Sequence, residues 1–445
     1  MQRLALQRLI HWKDAVDRKP MILRGVRHVG KTWLVTAFAK EFFPNNHHYF
    51  NFDSKPGLAR IFAASRSPKD ILESLAFVSG SPVAPSSLLI FDEAQICPDA
   101  IHSLKYFCEL RPDLRVLLAG SLLGLEFARP KSFPVGKVDF LTLEPVTFTE
   151  FLLAQGESDL VELLKTQSAL EPLSDNYFKR LASQFAQFEP VGGMPEAVDA
   201  WCSSRDMTQV RSTQARILQS YLADIDTYAS IRVADKIKQI WQTLPQQLSR
   251  RNKQFLYSVI EPRSNARKYG GALQWLMDAR VTRCVHRVKT LGYPLSAYEE
   301  PYAFKAYFVD TGLLCRLARI DESVLFEDNP SFREMKGALS ENLVLQSLVC
   351  QYEDVPHYWA RTNPSAEVDF LVQQRGRIIP LEVKSSTNIS SPSLRKFKEA
   401  FGDRVSLRVR LSLRNLSLDG DILNIPLFMV DEAKRLIDIA LEIIG

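Results

Sequence analysis

Eight consecutive residues, Gly25-Val26-Arg27-His28-Val29-Gly30-Lys31-Thr32, have the spacing G-x-x-x-x-G-K-T of a loop that wraps phosphate groups. Glycine at both ends lets the backbone N–H groups close around the anion, and a helix beginning at Lys31 would point its positive end at the same place. In that arrangement Lys31 neutralises the β- and γ-phosphates of ATP, and the Thr32 hydroxyl is a ligand for Mg²⁺. About sixty residues later the apolar run Leu88-Leu89-Ile90-Phe91 ends in Asp92-Glu93. Asp92 is suited to hold the Mg²⁺ shell and Glu93 to polarise the attacking water. A third apolar run ends in Ala119-Gly120-Ser121. Ser121 has two readings there, a sensor beside the γ-phosphate that contributes to nucleotide binding, or a cap for the following turn.

A second set of residues lies near the C-terminus. Asp369 in AEVDFLV, with Glu382 and Lys384 in PLEVKSS, forms an acidic, acidic-x-Lys pattern with Glu341 upstream. Residues i and i+2 of a strand share a face, so Glu382 and Lys384 project together while Val383 points the other way. With Glu341 they have the composition of an Mg²⁺ site in which carboxylates bind the ion and lysine stabilises charge developing on a phosphate. The plainer reading is an ion pair on a half-buried sheet.

These side chains need elements to hold them. Strands are predicted at Met21 to Arg24, His48 to Asp53, Leu88 to Asp92, Arg115 to Ala119 and Val138 to Leu143, separated by helical spacing at Trp33 to Phe42, Pro68 to Val78 and Ala100 to Leu110. That alternation is an α/β domain with a mostly parallel sheet over residues 1–145. Residues 146–230 read as a helical lid broken at Gly192-Gly193-Met194-Pro195. Short helices and then the basic, β-branched run Val281 to Lys289 suggest a winged helix over 231–304. A helix from Gly337 to Tyr352, followed by strands Glu367 to Gln373 and Arg377 to Lys384, makes 305–445 a further α/β unit of PD-(D/E)xK nuclease-like order.

A chain of 445 residues exceeds one hydrophobic core, so several domains are required. Its six cysteines include no C-x-x-C pair, which argues against a zinc site or disulfide framework and fits a reducing cytoplasm. No membrane partner is expected, because no stretch approaches the ~20 apolar residues that span a bilayer. The net charge of +5 is too small to argue for a polyanion by itself. The local case for DNA rests on Arg250, Arg251, Lys253, Arg263, Arg267 and Lys268, with Arg283, Arg287 and Lys289 along the expected wing. A protein partner docked by the same segment is the competing reading.

The segments GVRHVGKT, LLIFDEAQ, LLAGSLLG, LTLEPVTFTEFL, VGGMPEAV, KAYFVDTGLL and GALSENLV to PLEVKSS together resemble a prokaryotic AAA+ ATPase family with a C-terminal domain of unknown function. The resemblance covers nearly the whole chain and implies ATP binding and hydrolysis on an AAA+ sheet order. Two positions depart from the family pattern. Val26 stands where the family usually has proline, which loosens the loop without removing a phosphate contact. Lys137 stands where it usually has arginine and lacks the planar fork of a trans-acting arginine, leaving Arg129 as the substitute.

Overall fold

The computed structural model describes residues 2–127, 134, 136–250, 252–321, 332–352, 354–361, 366–386 and 390–445. Two compact units result, one of residues 2–144 with 275–281, the other of 145–274 with 282–445.

The first unit is built on β1 (Met21–Arg24), β2 (His47–Asn51), β3 (Leu88–Asp92), β4 (Arg115–Gly120) and β5 (Asp139–Thr142). They form one sheet in the order β2-β3-β4-β1-β5, and every neighbouring pair is parallel. Strand β3 is buried at all five positions, as expected where helices cover both faces. One side of the core gathers Ile22, Phe50, Phe91, Leu104 and Leu118. The helix Lys31–Phe42 follows β1, and Pro98–Leu110 follows β3. The helices Ala5–Asp14 and Leu58–Ala64 were not among the expected elements.

In the second unit, residues 145–274 are largely helical and belong with the C-terminal strands. The expected break falls between the helices Asp175–Val191 and Pro195–Ser204. Its sheet has eight strands in the order β12-β13-β11-β10-β9-β8-β6-β7. These are β6 (Thr282–Val288), β7 (Glu299–Phe308), β8 (His357–Arg361), β9 (Ala366–Gln374), β10 (Arg377–Val383), β11 (Arg408–Ser412), β12 (Ser417–Asp419) and β13 (Ile422–Pro426). The hairpin β6–β7, which corresponds to the expected wing, continues this sheet through parallel pairing of Arg287 and Val288 with Tyr358 and Trp359. Strand β7 runs across residue 305, so the segments on either side of that position share a sheet rather than a linker.

The motif VGGMPEAV finds its counterpart in KAYFVDTGLL. Asp310, fully buried, accepts hydrogen bonds from the backbone N–H of Gly193 at 2.5 Å and of Leu313 at 2.8 Å. Gly192 adopts φ +72°, and a Cβ there would sit 2.5 Å from Asp310 Oδ1. Only glycine combines that left-handed backbone with so close an approach. Burial pushes the Asp310 carboxyl up to about 6 against these donors.

Candidate nucleotide site and C-terminal carboxylate cluster

The phosphate-loop residues lie between β1 and the helix Lys31–Phe42, as their spacing demanded. Val26 and Val29 are buried and anchor the loop, while Arg27 and His28 face outward. His28 and Gly30 take positive φ, 64° and 94°, which turns the chain so that the helix starts at Lys31. Lys31 is buried, and its Nζ donates to the carbonyls of Gly25 at 3.0 Å and Val26 at 2.8 Å. Arg3 braces the loop from behind, donating to Val29 O at 2.9 Å and Glu144 O at 2.6 Å. That prop lies 26 residues upstream of Val29 and carries no motif by which the sequence could reveal it.

Thr32 Oγ1 donates to Asp92 Oδ2 at 2.8 Å, joining the two motifs across 60 residues of chain. Tyr49 on β2 donates to the same oxygen at 2.6 Å. Burial and the Asp92 hydrogen bond push the Tyr49 phenol up to about 12, so the hydroxyl remains a donor. A threonine hydroxyl beside a carboxylate is an all-oxygen donor set and fits Mg²⁺, with the remaining positions left to phosphate oxygens and water.

Glu93 follows with φ 55°, a conformation that turns it out of the strand direction. Gln95 Nε2 donates to Glu93 Oε2 at 2.5 Å. Among the described residues Gln95 Oε1, which is buried, has no hydrogen-bond partner, and it lies where a Cβ on Gly120 would be only 2.5 Å away. The glutamine therefore spans from Glu93 to the end of β4, immediately before Ser121. Gln95 closes the segment LLIFDEAQ, yet a glutamine two residues beyond a carboxylate has no distinctive spacing that marks this role. Arg129 and Arg251 lie outside the described residues.

The C-terminal residues lie in a network of ion pairs and hydrogen bonds. Glu341, on the helix Arg333–Gln351, is ion-paired with Lys253 and accepts a hydrogen bond from the Tyr307 hydroxyl at 3.0 Å. Asp369 Oδ2 accepts from the backbone N–H of Val383 at 2.8 Å, and Glu382 pairs with Lys384 at 2.7 Å. Lys305, with a side chain wholly removed from solvent, lies 2.5 Å from Glu367 and 3.9 Å from both Glu341 and Asp369. Burial and the neighbouring Glu341 push Asp369 up to about 7 against the pull of Lys305 and Lys253. Glu341 is held below its ordinary range by the same two lysines, although burial opposes this. Among the described residues no three His, Cys, Asp or Glu side chains are arranged to hold a metal ion. Of the residues expected as Mg²⁺ ligands, Glu341 and Asp369 share Lys305 with Glu367, and Glu382 is paired with Lys384.

In the basic segment Lys253 is engaged with Glu341, Lys268 pairs with Glu261, and Arg287 and Lys289 both pair with Glu300. Arg263 and Arg267 are exposed and enter no ion pair among the described residues.

Residues 17–152 match the family model described as an AAA domain. Residues 183–324 and 336–428 match two domains of unknown function, DUF8612 and DUF4143. The first unit thus carries an AAA-type P-loop ATPase domain. Two curated relatives, the uncharacterized proteins Rv2008c of Mycobacterium tuberculosis and Mb2031c of Mycobacterium bovis, are each 32% identical over 147 residues. That stretch is 33% of this chain and only 30% of either relative's length. Among solved structures, the Walker-type ATPase PABY2304 of Pyrococcus abyssi is similar with a TM-score of 0.45 and 14% identity, over 71% of this chain and 95% of that one. The Aeropyrum pernix ORC1 protein in complex with DNA is similar at 0.29 and 13%, over 71% and 91% respectively. No helix among the described residues is long and apolar enough to cross a membrane.

Proposed function

We propose that the chain is an Mg²⁺-dependent ATP hydrolase whose nucleotide state governs how its C-terminal half engages a partner. The observation that carries this is the hydrogen bond from Thr32 to Asp92 at the mouth of a loop whose lysine is already buried against it. Mg²⁺ held by Thr32 and Asp92 supplies charge neutralisation to the phosphates. Lys31 exchanges its loop carbonyls for the β- and γ-phosphates when ATP enters. Glu93 is the base that orients water, and Gln95 holds it until the γ-phosphate is in place. Ser121, at the end of the strand between the two motif strands, is placed to sense that phosphate.

For the C-terminal half, Arg263 and Arg267 suit a DNA backbone. A second reading, a regulatory switch that docks a protein and cleaves nothing, is favoured by one specific observation: the Lys305 ammonium lies against Asp369 and Glu341, two of the carboxylates that scission would need. One experiment separates these readings. The intact protein is incubated with Mg²⁺ on single- and double-stranded DNA, with and without ATP, while phosphate release and strand scission are followed together. Phosphate release is expected. Scission that Asp369→Ala abolishes would return Asp369, Glu382 and Lys384 to a catalytic role; binding indifferent to DNA and nucleotide would leave the protein partner.

A further inference from the structure

Three carboxylates from two elements, Glu341 on its helix and Glu367 and Asp369 on β9, converge on one ammonium, that of Lys305. It comes from β7, at the far edge of the sheet and more than sixty residues before β9. The lysine stem is enclosed, and its Nζ stands 4.9 Å from the ring centre of Tyr358, which shields it from water on that side. A second ammonium, Lys253, takes the other oxygen of Glu341. Three carboxylates and two ammonium groups leave a formal balance of −3 + 2 = −1. A divalent ion placed among the same oxygens would need them at about 2.1 Å and would face the Lys305 ammonium, which lies within 3.9 Å of all three carboxylates. The lysine cannot swing out without leaving its buried stem and the face of Tyr358.

We propose that this cluster is an ionic joint closed by Lys305 and Lys253, which ties the segment around 253 and strand β7 to the helix Arg333–Gln351 and strand β9, and that it takes no divalent cation. The nuclease-like arrangement is then a scaffold in which protein ammonium groups do the neutralising that a metal does in a cleaving site. Such a joint fixes the β6–β7 hairpin against the rest of the sheet at a place where strand pairing alone is short, Arg287 and Val288 being the residues of β6 that pair with β8 among the described residues. The proposal is independent of the ATPase reading, since none of these residues lies in the first unit.

Two measurements on the full-length chain test it. Mn²⁺ binding is followed by electron paramagnetic resonance without nucleotide, in the parent and in Asp369→Asn. Any Mn²⁺ bound is expected to be the same in both, and a stoichiometric site present in the parent and missing in Asp369→Asn overturns the proposal. Thermal melting of Lys305→Met is the second. Removing one partner leaves buried carboxylates uncompensated, so melting is expected several degrees lower, with part of the loss regained when Glu367→Gln is added. A Lys305→Met chain that melts like the parent overturns the joint. If that variant yields no folded protein, the joint stands or falls on Lys253→Met, for which the same drop is expected and parental melting is the overturning result.

Discussion

At the scale of single residues, the nucleotide site divides its work between side chains that grip the ground state and one that acts on water. Lys31→Ala is expected to abolish hydrolysis and to weaken nucleotide binding greatly, whereas Glu93→Gln should bind ATP at near-parental affinity and turn over at least 10²-fold more slowly. Nucleotide fluorescence titration beside a phosphate-release assay checks both; parental turnover in Glu93→Gln would remove it from the role of base. This part of the site was legible because loop, helix and strand residues that meet in space also carry a fixed spacing in sequence. Lys305 was not legible as a member of the C-terminal cluster, since nothing along the chain marks which earlier strand will deliver a side chain to Asp369. Asp310 gives a pH signature of its own. Its native carboxyl titrates at about 6 against an ordinary 3.8, so between those values the native state keeps a proton that the unfolded chain has lost. The group's contribution is therefore largest below pH 3.8 and fades as pH rises to 6, by up to about 3 kcal/mol. Denaturant melts of the parent and of Asp310→Asn over this range should show a smaller decline with pH in the variant.

Elements tell a different story about the motifs. VGGMPEAV and KAYFVDTGLL carry the family resemblance without a chemical reading, and each supplies half of a packed turn in which Asp310 caps the helix Thr311–Leu317 and receives Gly193. The run expected to be a wing lies in the β6–β7 hairpin, whose far side is another strand rather than solvent. Helical spacing and β-branched runs fix what an element is; they do not say which element it will pair with, and nothing in the β-branched run Val281 to Lys289 names β8 as its neighbour. The basic residues behave likewise. Changing Arg263, Arg267 and Lys268 together to alanine is expected to flatten the salt dependence of DNA binding, by about 0.9 in log–log slope for each phosphate no longer neutralised. Because Lys268 is already paired with Glu261, the first two should account for most of the change. Fluorescence anisotropy across a salt series checks this, and an unaltered slope would assign the segment to a protein partner.

For the whole molecule, the eight-stranded sheet argues against dissecting the chain at residue 305. A fragment 305–445 begins inside β7, lacks β6, and leaves the side of β8 that carries Tyr358 and Trp359 without its neighbour. It also discards Lys253, the partner of Glu341. Such a fragment should be poorly soluble and show no cooperative melt by circular dichroism; a sharp transition would show that the strands from β8 onward stand alone. The same pairing governs the order in which the protein can be built. Arg287 meets Tyr358 across 358 − 287 = 71 residues, so a hairpin leaving the ribosome must wait, at ~5–20 residues per second, for several seconds before its neighbour exists. During that interval the unpaired edge of β6 is open to any other strand, and the charges on hand to discourage a wrong one are Arg283 and Arg287 on β6 itself, with Glu300 paired to Arg287.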